Sequence, residues 1–328
     1  LEKEPILKKA IKQMHKKISL KYWIILSTIT IHLVCSSTIT NRRLNSELDL
    51  QGHRGARGLK PENTIPAFEE ALFWGMNTIE LDTVVTKDKQ LIIHHDTELN
   101  PQLCRHTEGK KVIVENISHF TVAELKKLDC GSLPNPKFPD QKLVPNTNLS
   151  TLQEFFQFIQ NYEKKNKTTS KVNFNIETKF PNSTTPEEIQ EFANLIVKEI
   201  EQAGMVDRTI VQSFRIEVLP LVKKLNPKIQ TSALFAPTIV EGIRLYLGIG
   251  SSIQENILKQ SEEVGANIIS PYFLYVDAEF VQKAHKQNRK VIPWTVNDKK
   301  EMLRLQEIGV DGIISDYPNK LVEVLRAK

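Results

Sequence analysis

Residues 49–82 read DLQGHRGARGLKPENTIPAFEEALFWGMNTIELD, and the order of patterns inside them decides the architecture. Asp49–Gly52 is a short extended run that stops at glycine-flanked polar residues. Ile65–Trp74 follows, with Ile65, Phe68, Ala71 and Leu72 at helical spacing. Thr78–Asp82 is a second extended run. Asn63 or Thr64 can cap the helix by accepting a backbone N–H, and Gly75 can end it in the left-handed conformation. Strand, helix and strand in this order form one parallel crossover unit.

Outward from that unit the alternation repeats. Extended runs are expected at Lys171–Glu177, Thr209–Ser213, Gln230–Leu234, Asn267–Ser270, Lys290–Trp294 and Asp311–Ser315, with helices at Thr151–Tyr162, Pro186–Ala203, Asp277–Gln287 and Lys299–Ile308. Gly204 and Gly309 sit just past two of these helices. Eight strands alternating with helices imply an α/β fold, a closed (β/α)8 TIM barrel over residues 49–325 rather than an open doubly wound sheet. His53, Asp82, Glu177, Gln212, Trp294 and Asp316 all fall at or just past strand C-terminal ends, the rim where barrels assemble their sites. The stretch 97–148 breaks the rhythm. It is too long for an ordinary connection and is expected as a small insertion after the second strand, covering the rim.

The chain has 328 residues, 40% hydrophobic and 25% charged, the composition of an ordinary folded protein. Its formal charge of +5 is uneven. Residues 1–43 carry nine Lys/Arg and two Glu, leaving 35 basic against 37 acidic residues for the rest (44 less 9, 39 less 2). The folded body therefore has no basic excess, and no nucleic-acid partner is expected. Lys16, Lys17 and Lys21 precede an apolar run over Tyr22–Val34, and Ser36, Ser37 and Thr38 follow it. A basic flank, a short apolar stretch and small residues are the parts of a secretory signal, so residues 1–38 read as a targeting segment, with Met14 placed to open a signal of ordinary proportions. The alternative is a retained membrane anchor. Either way the protein is expected to be exported, to a periplasm or cell surface. Cys35 stands where a lipoprotein signal would carry its modified cysteine, but Val34 before it is larger than such signals use. Cys104 and Cys130 would enter an oxidising compartment, either paired or as two buried thiols.

Chemistry concentrates at the strand ends. His53 can carry a proton near neutral pH, Arg54 presents a planar fork suited to phosphate oxygens, and Gly52 and Gly55 allow a tight turn beside them. Glu80 and Asp82, one residue apart on a strand, point the same way, and Glu177 offers a third carboxylate from another strand. Like charges so placed call for a hard divalent cation or for basic partners. Lys179 can reach the same region as a point charge. His95, next to Asp96, is the better-placed second imidazole; His94, its neighbour, is read as structural, because adjacent residues on an extended segment face opposite ways.

The run from His53-Arg-Gly through Pro61-Glu-Asn-Thr64, Glu80-Leu-Asp82 and His95-Asp96 resembles the signature of the glycerophosphodiester phosphodiesterase family. The likeness continues through Thr121–Asp129, Gln212-Ser-Phe214, Trp294–Asn297, Gly309–Gly312 and Ser315–Pro318. It implies an enzyme that hydrolyses glycerophosphodiesters to sn-glycerol 3-phosphate and an alcohol. On that likeness Glu80, Asp82 and Glu177 would bind one divalent cation, Ca2+ or Mg2+, and His53 and His95 would be the general acid and base. Arg54 and Lys179 would contact the phosphate, Trp294 would line the glycerol side, and Glu62 would orient from behind. Thr97–Thr107 and Gln141–Ser150 depart from the family pattern, which bears on substrate preference. Two other readings stay open: a phospholipase D-like hydrolase of lysophospholipids or sphingomyelin, and a non-catalytic surface-binding barrel.

Overall fold

Two kinds of side chain alternate on the second strand, and that alternation sets the layers. Ile79 and Leu81 are buried apolar residues, while Thr78, Glu80 and Asp82 are buried polar ones, and neighbours on a strand face opposite sides. The computed structural model describes residues 48–166, 171–247 and 250–325. The targeting segment expected at 1–38, with Cys35, lies outside them.

The chain runs β1 (Asp49–Gly52), α1 (Ile65–Phe73), β2 (Thr78–Val85), β3 (Leu91–Ile93), β4 (Arg105–His106), α2 (Val122–Leu125), β5 (Leu128–Asp129), α3 (Leu152–Asn166) and β6 (Asn173–Thr178). It continues through α4 (Pro186–Gln202), β7 (Thr209–Ser213), α5 (Val218–Leu225), β8 (Gln230–Phe235), α6 (Ile239–Tyr246) and α7 (Ser251–Glu263). The last elements are β9 (Ile268–Pro271), α8 (Ala278–Lys286), β10 (Lys290–Val291), α9 (Lys299–Glu307), β11 (Gly312–Ser315) and α10 (Pro318–Leu325).

Strands pair in parallel in the order β10-β9-β8-β7-β6-β2-β1-β11. The ring closes where Asp311 N–H donates to the Val291 carbonyl at 2.9 Å and Ile314 N–H to the Pro293 carbonyl at 3.0 Å. This is the (β/α)8 barrel. β10 ends earlier than the expected Lys290–Trp294 because Pro293 has no N–H to give a ladder. Its neighbours still bond across, Ile292 N–H to Ile269 O at 2.9 Å and Trp294 N–H to Pro271 O at 3.2 Å. β2 instead outruns the expected Asp82, because its last residues pair antiparallel with β3.

Aromatic packing fixes the helices on the outer face. Phe174 of β6 meets Phe155 and Phe156 of α3 at ring centroids 5.4 and 5.5 Å apart, and Phe68 of α1 meets Phe155 at 4.8 Å. With Phe174 turned outward, Asn175 and Glu177 alternate with Ile176 and their partners on β6, and Asp82 is paired in register with Glu177. Inside, Ile210, Ile268, Ile292 and Ile314 form an apolar cluster with Trp294 against it. The α1 cap is Thr64, whose side chain accepts from Ala67 N–H, and Gly75 follows the helix at φ 73°.

The insertion has its own small core. β4 pairs antiparallel with β5. Leu99, Val112, Ile117, Leu125 and Leu128 pack against Val84 and Ile92 of the barrel. Cys104 and Cys130 are joined in a disulfide that closes a separation of 26 residues. Asp129 is a buried latch, accepting from Gly131 N–H at 3.0 Å and from the Ser132 hydroxyl. The insertion then grips the loop after β1: Gln141 Nε2 donates to the Arg57 and Lys60 carbonyls at 2.7 and 2.8 Å. At the start of α6, Thr238 and Glu241 cap the helix reciprocally.

Closing a loop of that length in the unfolded chain is worth about 3 kcal/mol by chain entropy. Replacing Cys104 and Cys130 together by serine should therefore lower the unfolding free energy by about that amount, read as a lower midpoint of chemical unfolding. Reductant should lower the midpoint of the parent protein and leave that of the double variant where it is.

Candidate active site

The loop after β1 is shaped by two glycines. A Cβ on Gly52 would lie 2.3 Å from the Gly55 carbonyl oxygen, and one on Gly55 (φ 79°) would strike Ala67. Between them Arg54 takes φ 50°, a left-handed conformation that costs a non-glycine residue about 1 kcal/mol or more. What offsets the cost is visible: Arg54 N–H donates to Glu80 Oε2 at 2.7 Å, in a buried setting. Turned this way, His53 points into the barrel mouth. Its Nδ1–H donates to Asp316 Oδ1 at 2.6 Å, and its Nε2 lies 4.0 Å from Glu80 Oε2.

Glu80, Asp82 and Glu177 converge, each no more than 5% exposed, with one oxygen apiece inside a 4.8 Å sphere of mutual distances. Their other contacts hold them still. Glu80 Oε1 accepts from Gln212 Nε2 at 2.9 Å, and Asp82 Oδ2 from Asn63 Nδ2 at 2.8 Å. Asp82 Oδ1 and Glu177 Oε1 both face the Lys179 ammonium, at 3.1 and 2.5 Å. Like charges this close repel by about 3 kcal/mol per pair at an effective dielectric constant of 20. Three fixed carboxylates with one oxygen apiece turned toward a common point are an oxygen set that could hold a hard divalent cation.

The second imidazole comes from the segment after β3. His95 Nδ1–H donates to Asp96 Oδ1 at 2.6 Å. β3 ends at Ile93, so strict alternation stops there. His94 and His95 accordingly line the same cleft, together with Glu62, Asn63 and the Cys104–Cys130 disulfide. His94 is pinned by Nδ1–H donating to the Asp96 carbonyl at 2.7 Å, while its buried Nε2 has no hydrogen-bond partner.

Arg54 is held from both sides, Nη1 to Glu62 Oε1 at 2.5 Å and Nε 3.2 Å from Asp82 Oδ2. Lys179 lies 5.8 Å above the Phe214 ring. Trp294 donates its indole N–H to the Ser270 carbonyl at 2.8 Å and packs edge-on against Phe214 and Tyr272, with centroids 5.4 and 5.8 Å apart. These aromatics form one wall beside the ammonium.

Burial dominates the electrostatics. It pushes Glu177 up to about 7 and Glu80 well above the usual carboxylate range, where the Asp82 charge adds to the effect. Asp82 goes the other way, far below its ordinary value: its burial is outweighed by Lys179 and Arg54. His53 is lowered to about 4 by burial and by Arg57, and His95 to about 3 by burial and by Arg54 and Lys179. Both rings are therefore neutral near pH 7, with Nδ1–H committed to a carboxylate and Nε2 left as the acceptor.

Two residues at the site had no role assigned from sequence. Asp316, placed in sequence only as a strand-end polar residue, is buried and accepts from His53, from Arg57 Nε at 2.7 Å and from Asn297 Nδ2 at 2.7 Å. Those donors hold its carboxyl far below the ordinary range despite burial. Asn63, read only as a possible cap, sits at φ 56° and spans Asp82 with both ends of its amide, accepting the Asp82 N–H at 3.2 Å. The signals were its position in Pro61-Glu-Asn-Thr64 and, for Asp316, its position after β11.

Comparison with known proteins places this geometry. The model of the glycerophosphoryl diester phosphodiesterase family matches residues 53–320. A glycerophosphodiester phosphodiesterase of Caldanaerobacter subterraneus is 31% identical over 274 residues, 84% of this chain and 96% of that protein. A crystal structure of a candidate glycerophosphoryl diester phosphodiesterase from Silicibacter pomeroyi superposes with a TM-score of 0.76 at 27% identity, covering 85% of this chain and 93% of the other. A phosphodiesterase of Oleispira antarctica, solved in complex with the product sn-glycerol-3-phosphate, superposes at 0.65 with 25% identity, covering 85% and 96%.

Because Glu177 and Glu80 hold protons to higher pH than free carboxylates, a divalent cation entering the cluster must displace at least one. Calorimetric affinity for magnesium should rise by at least about tenfold per pH unit from pH 5 to 7, with proton release over that range. A flat profile would count against the cluster as the binding site.

Proposed function

The chain belongs to the glycerophosphoryl diester phosphodiesterase family, and on that premise we propose that it hydrolyses glycerophosphodiesters to sn-glycerol 3-phosphate and an alcohol. The observation that carries the reading is the pairing of three convergent carboxylates with two imidazoles, each anchored through Nδ1 and each presenting Nε2. Glu80, Asp82 and Glu177 would hold one Ca2+ or Mg2+, which when bound withdraws charge from the phosphate oxygens.

The protein's own groups supply the rest. Arg54 and Lys179 already stand among the carboxylates, and their positive charges favour an anionic phosphodiester at the same mouth. One histidine Nε2 takes the proton of the attacking hydroxyl, and the other returns a proton to the departing alkoxide. Asp316 and Asp96 fix the tautomer of each ring and stabilise its charged form, as a carboxylate does behind any catalytic imidazole. Depressed ring values suit the accepting role; the negative charge of a bound phosphate raises the ring that must donate. The wall of Trp294, Phe214 and Tyr272 gives the substrate's carbon skeleton an apolar face to rest on. Glu62 holds Arg54 from behind.

We also place the protein outside the cytoplasm, in a periplasm or at a cell surface. The Cys104–Cys130 disulfide supports an oxidising compartment.

Hydrolysis of glycerophosphocholine should be abolished by a chelator and restored by calcium or magnesium. His53→Ala and His95→Ala should each lower kcat by about 10²- to 10⁴-fold. Asp316→Asn should lower kcat strongly with little change in KM, because it leaves the ring in place without its counter-charge. Lysophosphatidylcholine and sphingomyelin measured in parallel decide between the diesterase and a phospholipase D-like activity: faster turnover of either lipid would displace the proposal.

A further inference from the structure

Behind the acidic cluster the barrel interior carries carboxamides. Gln51 of β1, Asn175 of β6 and Gln212 of β7 are each no more than 1% exposed. They form one chain. Gln212 Nε2 donates to Glu80 Oε1 at 2.9 Å, and Asn175 Nδ2 donates to Gln212 Oε1 at 3.0 Å and to Gln51 Oε1 at 2.8 Å. Gln51 Nε2 donates to Asp49 Oδ2 at 2.8 Å, and the Thr78 hydroxyl donates to Asp49 Oδ1 at 2.6 Å. The chain runs from Asp49, at the start of β1, to Glu80 in the mouth.

Its ends dictate its direction. A carboxylate that ligates a cation is ionised and only accepts, so Gln212 must keep its NH2 group turned outward to Glu80, as Gln51 does to Asp49. Their carbonyls then both face Asn175, which must donate twice. Its own Oδ1 is left over, and that atom is indeed buried with no hydrogen-bond partner. Barrel interiors are ordinarily filled by Val, Ile and Leu, and an unpartnered buried carbonyl is costly. The expense falls where a donor aimed at Glu80 is needed.

We propose that Gln212 is a positioning residue for Glu80, and that Asn175, oriented in turn through Gln51 and Asp49, locks the Gln212 amide with its N–H toward the carboxylate. Glu80 is thereby clamped between two donors, Gln212 Nε2 on one oxygen and Arg54 N–H on the other. Its remaining lone pairs are pre-aimed at the space shared with Asp82 and Glu177. The inference rests on the reading that these carboxylates hold a divalent cation.

Magnesium affinity by titration calorimetry, with the melting temperature of the ion-free protein as the control, tests it. Gln212→Met keeps length and loses the donor; it should weaken magnesium binding ten- to a hundredfold while ion-free melting shifts little, and kcat should recover at saturating magnesium. Asn175→Asp, which can only accept, should draw the Gln212 NH2 toward itself, turn its carbonyl on Glu80 and weaken binding by a similar factor. Asp82→Asn marks the loss of a ligand itself. Magnesium binding by Gln212→Met within twofold of the parent overturns the assignment, as does a loss that tracks melting and is not rescued by excess ion; tight binding by Asn175→Asp overturns the part given to Asn175. Should the parent protein bind neither magnesium nor calcium, it is the cation site that fails, and the two results cannot be confused.

Discussion

Three carboxylates are held within a few ångströms of one another in a buried barrel mouth, and the rest of the site is arranged around that repulsion. Each close pair costs about 3 kcal/mol at an effective dielectric constant of 20, and desolvation adds to it. The protein meets the cost in several ways at once. Lys179 and Arg54 supply positive charge within about 3 Å of Asp82; Gln212, Asn63 and the Arg54 amide donate to the outward oxygens; and Glu80 and Glu177 ionise less readily than free carboxylates. Such an arrangement is poor value as structure alone, since an apolar replacement would stabilise the fold more. Its three convergent oxygens could hold a cation.

The same economy governs the imidazoles. His53 and His95 come from different loops, after β1 and after β3, yet each gives its Nδ1–H to a carboxylate at 2.6 Å. Asp316 also ties the last strand to the first, because Arg57 and Asn297 bind it as well. One buried carboxylate thus orients a ring in the mouth and links the segments that follow β1, β10 and β11. Backbone strain enters here too: Arg54 and Asn63 sit at φ 50° and 56°, and each is over-determined by bonds to the acidic residues.

The insertion belongs to the site in a different sense. Its disulfide and Leu103 line the cleft beside His94 and His95, and Gln141 fastens it to the loop that carries His53 and Arg54. A rigid scaffold of strands therefore holds the carboxylates, whereas the cleft beside the histidines is bounded by a segment with a small separate core. The carboxylates thus sit on barrel strands, and the wall of the neighbouring cleft comes from a loop segment at the C-terminal face.

Much of this was legible in one dimension because strands and helices have short periods. Alternation of Ile79 and Leu81 with Glu80 and Asp82 needs only the two-residue repeat of a strand, and Thr64 with Gly75 needs only the chemistry of helix ends. Those local rules named the barrel, its first helix and the residues that gather in its mouth. They could not say that Pro293 would cut β10 short, since neighbouring strands decide how much pairing survives a missing N–H. Nor could they choose between paired and separate thiols at Cys104 and Cys130, which only the folding of the insertion brings together. His94 was set apart from His95 by an alternation that ends one residue too soon to apply. The amide chain behind Glu80 joins β1, β2, β6 and β7, and Asp316 gathers donors from the segments after β1 and β10, which lie far apart in the chain. Sequence determined which side chains were available at each strand end; closing the ring decided which of them touch, because contacts across a barrel are set by strand register and not by distance along the chain.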